Sequence, residues 1–286
     1  MARINNPEVD AILDKEFKCL NAGFVRLVDY MGGDDSIVQA ARVSYGKGTK
    51  TVNQDRGLIR YLMRQSHTTP FEMVELKFHC KIPIFVARQW IRHRTANVNE
   101  YSGRYSIMKD EFYIPSEDAI HFQSLRNKQG RSADEVPPEL RARVLELLLA
   151  DQRQSYAHYE EMLGSEIARE LARINLPLAL YTEWYWKIDL HNLFHFLRLR
   201  LDPHAQYEIR VYGEAMAEIT KKVVPMAWEA YEDYVLKGEH FSRLELAILR
   251  DCLDTSSLTK EALEEKGFVG REAEEFVEKI EKLKKR

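Results

Sequence analysis

Little cysteine, no long apolar run and no excess of positive charge characterise this 286-residue chain. Its three cysteines, Cys19, Cys80 and Cys252, are odd in number and far apart, which excludes a disulfide framework and leaves no zinc-cluster spacing. No apolar stretch approaches the roughly 20 residues of a membrane-spanning helix. The opening Met-Ala-Arg-Ile-Asn-Asn-Pro lacks the apolar segment of an export signal, so a cytoplasmic protein with no membrane partner is expected. Lys and Arg number 42 against 45 Asp and Glu, a formal net charge of -3. Broad nucleic-acid binding is therefore not expected, and any anion site must be a local cluster. Gly46-Lys47-Gly48-Thr49-Lys50 is rich in phosphate-binding residue types but lacks Walker A spacing. No Gly-x-Gly-x-x-Gly follows a strand, so a Rossmann site is not indicated.

What is present is an ordinary globular core, with 45% hydrophobic residues and a length for one large or two modest domains. Gly23 to Asp29 alternates like a strand, and Gly32-Gly33-Asp34-Asp35 turns into a helix for which Ser36 and Gln39 form a capping box. Leu58, Ile59, Leu62 and Met63 share one face of a helix over 54–66. Thr69-Pro70-Phe71-Glu72 reads as a cap, a first-turn proline and an acid. Val74, Leu76, Phe78, Cys80 and Ile82 alternate as a half-buried strand, which makes Cys80 a core residue. An apolar continuation runs to Ile91. A polar excursion over 127–138 precedes a helix over 139–163 and a short helix reaching Arg173. Residues 176–188 read as extended, Asp189 caps a helix to Arg200, and another helix spans 204–223. Beyond Leu258, Ala273, Phe276, Val277, Ile280 and Leu283 form a stripe beside Glu275/Lys279, Glu278/Lys282 and Glu281/Lys285 pairs. Such pairs are worth only about 0.2–0.5 kcal/mol each, so this accessory tail needs something to dock on.

One stretch calls for a ligand. Arg92-His93-Arg94 is followed, after seven residues, by Ser102-Gly103-Arg104, with Trp90, Tyr101 and Tyr105 close by. Contiguous cations repel one another and are poor core material. Guanidinium forks bind phosphate bidentately, and a Ser hydroxyl beside a Gly amide adds neutral donors. Other segments contribute further polar groups: His67 with Thr69, Arg88-Gln89, Arg173, and Arg198 through Gln206. Cations from remote segments suit a large anionic, planar guest.

The Arg-His-Arg, seven-residue, Ser-x-Arg pattern resembles the signature of the flavin-dependent thymidylate synthases and matches it without departure. The resemblance extends from about Gly23 to about Gly238. It implies an FAD-dependent methyltransferase that converts dUMP to dTMP, with 5,10-methylenetetrahydrofolate as one-carbon donor and NADPH as reductant, releasing tetrahydrofolate. The expected architecture is α+β, a central largely antiparallel sheet flanked by long helices. A catalytic domain over 1–240 precedes a helical C-terminal extension over 241–286. The resemblance further implies a homotetramer with sites shared between subunits.

The same resemblance implies residue roles. Ser102, the Gly103 amide and Arg104 hold the dUMP phosphate, assisted by Gln89, Arg92 and Arg173, while Glu100 accepts the ribose hydroxyl. Arg200 faces the uracil ring and steadies negative charge that develops there; with Ser102 and His67 it makes up the expected catalytic set. Flavin falls to Arg92, His93, Arg94 and Glu100, joined by Thr69, Ser44 and Glu72, with His67 near the flavin ring. At Asp189, His191 and His195 the chain departs from the Asn and Arg side chains other members direct at flavin, and these three are carried as flavin-binding. The other class of thymidylate synthase uses a cysteine nucleophile, for which no cysteine here has an electropositive setting.

Two rival readings are an arginine-rich nucleotide- or RNA-binding module, which the acidic balance disfavours, and a zinc hydrolase. His191 and His195 have the i,i+4 spacing of a helical zinc site, but Asn192 stands where a metalloprotease carries Glu, and no metal is expected.

Overall fold

The computed structural model describes residues 6–43, 52–125, 130–132, 134–253, 258–268 and 271–285. Five strands, β1 (Phe17–Cys19), β2 (Gly23–Met31), β3 (Glu75–Pro83), β4 (Asn97–Glu100) and β5 (Tyr181–Asp189), form one sheet in the order β1-β2-β3-β5-β4. Every neighbouring pair is antiparallel. The helices are α1 (Pro7–Asp10), α2 (Asp34–Arg42), α3 (Val52–Arg64), α4 (Ile84–Trp90), α5 (Pro138–Gly164) and α6 (Arg169–Ala172). They continue as α7 (Leu190–Arg200), α8 (Tyr207–Val223), α9 (Pro225–Tyr231), α10 (Arg243–Cys252), α11 (Lys260–Glu265) and α12 (Glu272–Lys285). This is the expected α+β architecture.

Two-residue alternation builds the core face. Leu76, Phe78, Cys80 and Ile82 on β3 lie beside Trp184, Trp186 and Ile188 on β5, with Phe78 opposite Trp186 and Cys80 opposite Trp184. Trp90 closes this face. Its fully buried indole meets Trp184 at 5.5 Å, Trp186 at 5.2 Å, Phe196 of α7 at 4.9 Å and Tyr212 of α8 at 6.0 Å. The edge-on pairs with Trp184, Trp186 and Tyr212 add energy beyond their burial. Gly23 is required by close approach: a Cβ there would fall 2.0 Å from the Tyr212 hydroxyl.

Several boundaries differ from the sequence reading. The continuation after Ile82 leaves the sheet at Pro83 and becomes α4, because proline has no amide to offer the ladder. α2 begins at Asp34, so Ser36 sits inside it and its hydroxyl accepts from the Gly33 amide instead. The positive φ of Gly32, 80°, makes the turn there. Only Tyr181–Asp189 of the extended stretch is strand. Asp189 caps α7 as expected, accepting from the Asn192 amide at 2.9 Å.

The chain divides into two compact units, 1–41 with 68–225 and 42–67 with 226–286. The expected tail, 241–286, falls in the second. There α12 docks on α3 through charge. The Arg60 guanidinium donates to Glu272 at 2.7 Å and Asp233 at 2.7 Å, and Arg64 donates to Glu275 at 2.9 Å and Glu272 at 3.1 Å. Burial by itself would lower the Arg60 pKa, but its bonds to Glu272 and Asp233 outweigh that and raise it.

Replacing Trp90 with Ala should lower unfolding free energy by about 3–5 kcal/mol, the cost of emptying a well-packed aromatic site. Urea titration checks this; a loss under 1 kcal/mol would mean that the indole does not anchor the core.

Candidate active site

Arg92-His93-Arg94 follows α4 directly, so the buried Trp90 sets where the motif leaves the core. The His93 ring packs edge-on against Phe196 at 4.9 Å and lies 5.9 Å from His195. Arg200, at the end of α7, donates to the His93 Nε2 from Nε at 3.2 Å and from Nη2 at 2.9 Å. An imidazole nitrogen accepting two guanidinium N–H groups has to be unprotonated, so His93 is neutral with its proton on Nδ1. Burial, then the charge of Arg200, then His195 push its pKa down to about 4. Burial also lowers the pKa of Arg200, and burial with Arg198, His191 and Arg200 lowers that of His195.

Among the described residues no carboxylate pairs with Arg92, Arg94, Arg173, Arg198 or Arg200, whereas Arg60 and Arg64 are saturated with them. A half-buried guanidinium without an anion loses hydration and gains little in return.

The second limb lies in the turn after β4. The Ser102 carbonyl accepts from the Tyr105 and Ser106 amides, both at 3.1 Å, and the Ser102 hydroxyl accepts from the Arg104 amide at 3.3 Å. The turn is stapled from outside: the Tyr101 hydroxyl donates to the Ile107 carbonyl at 2.7 Å, and the Met108 amide donates to the Tyr159 hydroxyl at 3.0 Å. Gly103 is packed so closely that a Cβ would stand 2.7 Å from the Met108 sulfur and 3.1 Å from Arg173 Cδ. Arg173 and the Ser-Gly-Arg turn, about 70 positions apart in sequence, are therefore neighbours. Arg104 is exposed and donates to Glu170 at 3.1 Å. Gln89, on α4, has a buried carbonyl oxygen with no partner, an orphan acceptor that suits a donor from a bound guest.

Other expected site residues fall as follows. Glu100 accepts from the Thr182 hydroxyl at 2.8 Å. Asp189 is engaged as the α7 cap, its second oxygen taking the Asn192 side-chain amide at 2.8 Å. His191 and His195 are one turn apart on α7, and among the described residues no group of three His, Cys, Asp or Glu side chains is placed to hold a metal ion. Thr69 opens a short 3-10 turn, Thr69–Met73, and is exposed. His67 belongs to the second unit, where its ring lies edge-on to Tyr61 at 5.8 Å. Ser44 lies outside the described residues. Sequence reading missed Thr182 and Glu170. Thr182 hides inside an aromatic strand, and only the β4–β5 register, with Glu100 opposite Trp184, brings it beside Glu100.

Cys19 and Cys80 are buried free thiols. Burial pushes Cys19 up to about 12 and Cys80 upward likewise, so neither presents a thiolate near neutrality.

The His93 pKa has a sign that can be tested. The folded value of about 4 lies below the ordinary 6.5, so the unfolded chain binds the proton first and stability falls as pH drops between those values. His93→Gln keeps an acceptor for Arg200 but cannot titrate. Its loss of stability from pH 7 to pH 5 should be smaller than that of the parent by about 1 kcal/mol, after allowing for solvent screening. Denaturant unfolding at the two pH values measures this, and identical slopes would show that His93 is not held neutral.

The profile of the family described as thymidylate synthase complementing protein matches residues 26–226. Flavin-dependent thymidylate synthase from Rickettsia conorii is 55% identical over 282 residues, covering 92% of this chain and 96% of its own. Its counterpart from Treponema denticola is 57% identical over 268 residues, covering 94% and 98%. Among solved structures, a UMP/dUMP methylase PolB from Streptomyces cacaoi bound with 5-Br dUMP superimposes with a TM-score of 0.69 at 31% identity, over 78% of this chain and all of that one. With the Arg-His-Arg and Ser-Gly-Arg limbs in place and this likeness along nearly its whole length, the chain belongs to the flavin-dependent thymidylate synthase family.

Proposed function

We propose that this enzyme methylates dUMP to dTMP, with FAD as its flavin, 5,10-methylenetetrahydrofolate as one-carbon donor and NADPH as reductant, and releases tetrahydrofolate. The observation that carries the reading is that Arg92, Arg94, Arg173, Arg198 and Arg200, all in or near the two motif limbs or on α7, pair with no carboxylate among the described residues. When bound, the reduced flavin supplies hydride and the folate supplies carbon. The chain supplies position and fixed charge.

Ser102, the Gly103 amide and Arg104 hold the dUMP phosphate, with Gln89, Arg92 and Arg173 beside them. Gly103 fits this use because only a residue without a side chain lets Arg173 and Met108 pack this closely against the turn. Glu100, steadied by the Thr182 hydroxyl, accepts from the ribose hydroxyl. Arg200 is held in place by neutral His93, so its remaining N–H groups point a fixed charge at the uracil carbonyl. That charge stabilises the anion that develops as the ring accepts hydride. Ser102 is a phosphate ligand, since the bond described for its hydroxyl comes from a backbone amide and among the described residues no general base accepts from it.

Arg92, His93, Arg94, Glu100, Thr69 and Ser44 hold FAD, with Asp189, His191 and His195 along the start of α7 and His67 beside the ring. Both imidazoles with lowered pKa, the partly buried His93 and the exposed His195, are neutral at pH 7, which suits an apolar isoalloxazine better than cations would. The active form is a homotetramer in the cytoplasm. Leu171, Ile174 and Leu178 flank Arg173 and are 55%, 68% and 58% exposed, an apolar surface of the kind that subunit contacts cover. No described helix is long and apolar enough to cross a membrane, and no nucleic acid takes part.

The purified protein should be yellow, or become so with FAD, and NADPH should bleach it without oxygen. Arg200→Ala should retain the flavin spectrum and lose about 100-fold or more in turnover of dUMP. A protein that takes up no flavin, or an Arg200→Ala variant with parental turnover, would contradict the assignment.

A further inference from the structure

We propose that the C-terminal helix α12 acts on the reaction through α3, with Arg64 and Tyr61 as positioning residues for His67. The inference rests on the role given to His67 above and adds the means by which its ring is held.

His67 ends α3 in a tightly defined cap. Its amide donates to the Leu62 carbonyl at 2.9 Å and the Ser66 amide to Met63 at 3.1 Å, with Ser66 at a φ of 56°. Those two bonds around a left-handed residue are the Schellman arrangement. They fix the His67 backbone but leave its ring free to turn about χ1 and χ2. The ring is edge-on to Tyr61, with centroids 5.8 Å apart at 87°. Tyr61 is itself 40% exposed. What lies over its face is the Arg64 guanidinium, 5.8 Å from the ring centre.

Arg64 is in turn held by residues beyond position 226, where the match to the family profile stops. It donates to Glu272 and Glu275 of α12 and, at 3.2 Å, to the Tyr234 hydroxyl. That hydroxyl donates to Glu272 at 2.7 Å. Tyr234 sits in a π-helical turn, Glu232–Leu236, after α9, an arrangement costly enough to mark a site with a purpose. Gln65 adds a bond to Glu275 at 3.1 Å. A planar guanidinium gripped on several edges cannot drift, so the order in α12 passes to Arg64, from Arg64 to the Tyr61 face, and from Tyr61 to the imidazole of His67. A purely structural clamp would not need this last pair of ring contacts.

The experiment is a double-mutant cycle on the full-length flavin-loaded enzyme. Tyr61→Leu and Arg64→Met, each alone, should lower kcat by about 10-fold, the scale of a slightly misplaced group. KM for dUMP and flavin content should stay as in the parent, and Arg64→Lys should recover part of the loss. His67→Gln should also lower kcat. Adding Tyr61→Leu to His67→Gln should then cost less than about 2-fold more, because both changes act on one group. Losses that multiply in the double variant would overturn the proposal, as would parental kcat in both single variants. Parental kcat in His67→Gln would instead remove the role of His67 itself, and the proposal with it. Should Arg64→Met fail to fold, Tyr61→Leu and Glu275→Gln, both at partly exposed positions, carry the same cycle.

Discussion

A guanidinium drawn partly out of water demands a partner, and most of this enzyme's architecture can be understood from where that demand is met. In the unit built around α3 it is met internally. Arg60 and Arg64 are surrounded by Glu229, Asp233, Glu272 and Glu275, and the result is a clamp. Along the two motif limbs and at the end of α7 it is left open. Arg200 is half-buried against a neutral imidazole, and Arg92, Arg94, Arg173 and Arg198 likewise have no carboxylate among the described residues. Arg92, Arg94 and Arg198 are exposed and cost little unpaired, whereas the partly buried Arg173 and Arg200 give up hydration without an ion pair in return, a cost that a bound anion would offset.

That open demand is tolerable because the backbone beneath it is rigid. Trp90 is locked among Trp184, Trp186, Phe196 and Tyr212, and the motif begins two residues later. Phe196 serves twice, packing both Trp90 and His93. The same aromatic cluster therefore seats the core and positions the imidazole that holds Arg200. The other limb is tied down differently, by a self-bonded turn and by tyrosine hydroxyls from its own flank and from α5. Neither limb relies on a cysteine, since both buried thiols are held well above neutrality.

Much of this was legible from residue order. The alternation through Val74–Ile82 marked β3, the Asp189 cap marked the start of α7, and the Arg-His-Arg and Ser-Gly-Arg spacing marked both limbs. Those signals are local: a period of two, a side chain that bonds an amide three residues on, a run of like charges. Less legible was anything that depends on a partner from elsewhere. The helical turn after Pro83 and the inclusion of Ser36 within α2 followed from proline and glycine geometry that apolar patterning conceals. Thr182 beside Glu100 needed the strand register, and Glu170 beside Arg104 needed the fold of the α6 turn.

The tail gives the sharpest contrast. Its amphipathic stripe and its i,i+4 pairs announced a helix too weak to stand alone, but not what it leans on. Composition and periodicity specify which side chains share a surface, because both operate within a few residues of chain. They cannot specify which distant surface answers it. Arg64 meets Glu275 across more than 200 positions, and Gly103 meets Arg173 across about 70, only because packing closes those loops. Local chemistry thus chose the donors and the helices, while long-range closure chose which arginines would be neutralised and which would be left waiting for an anion.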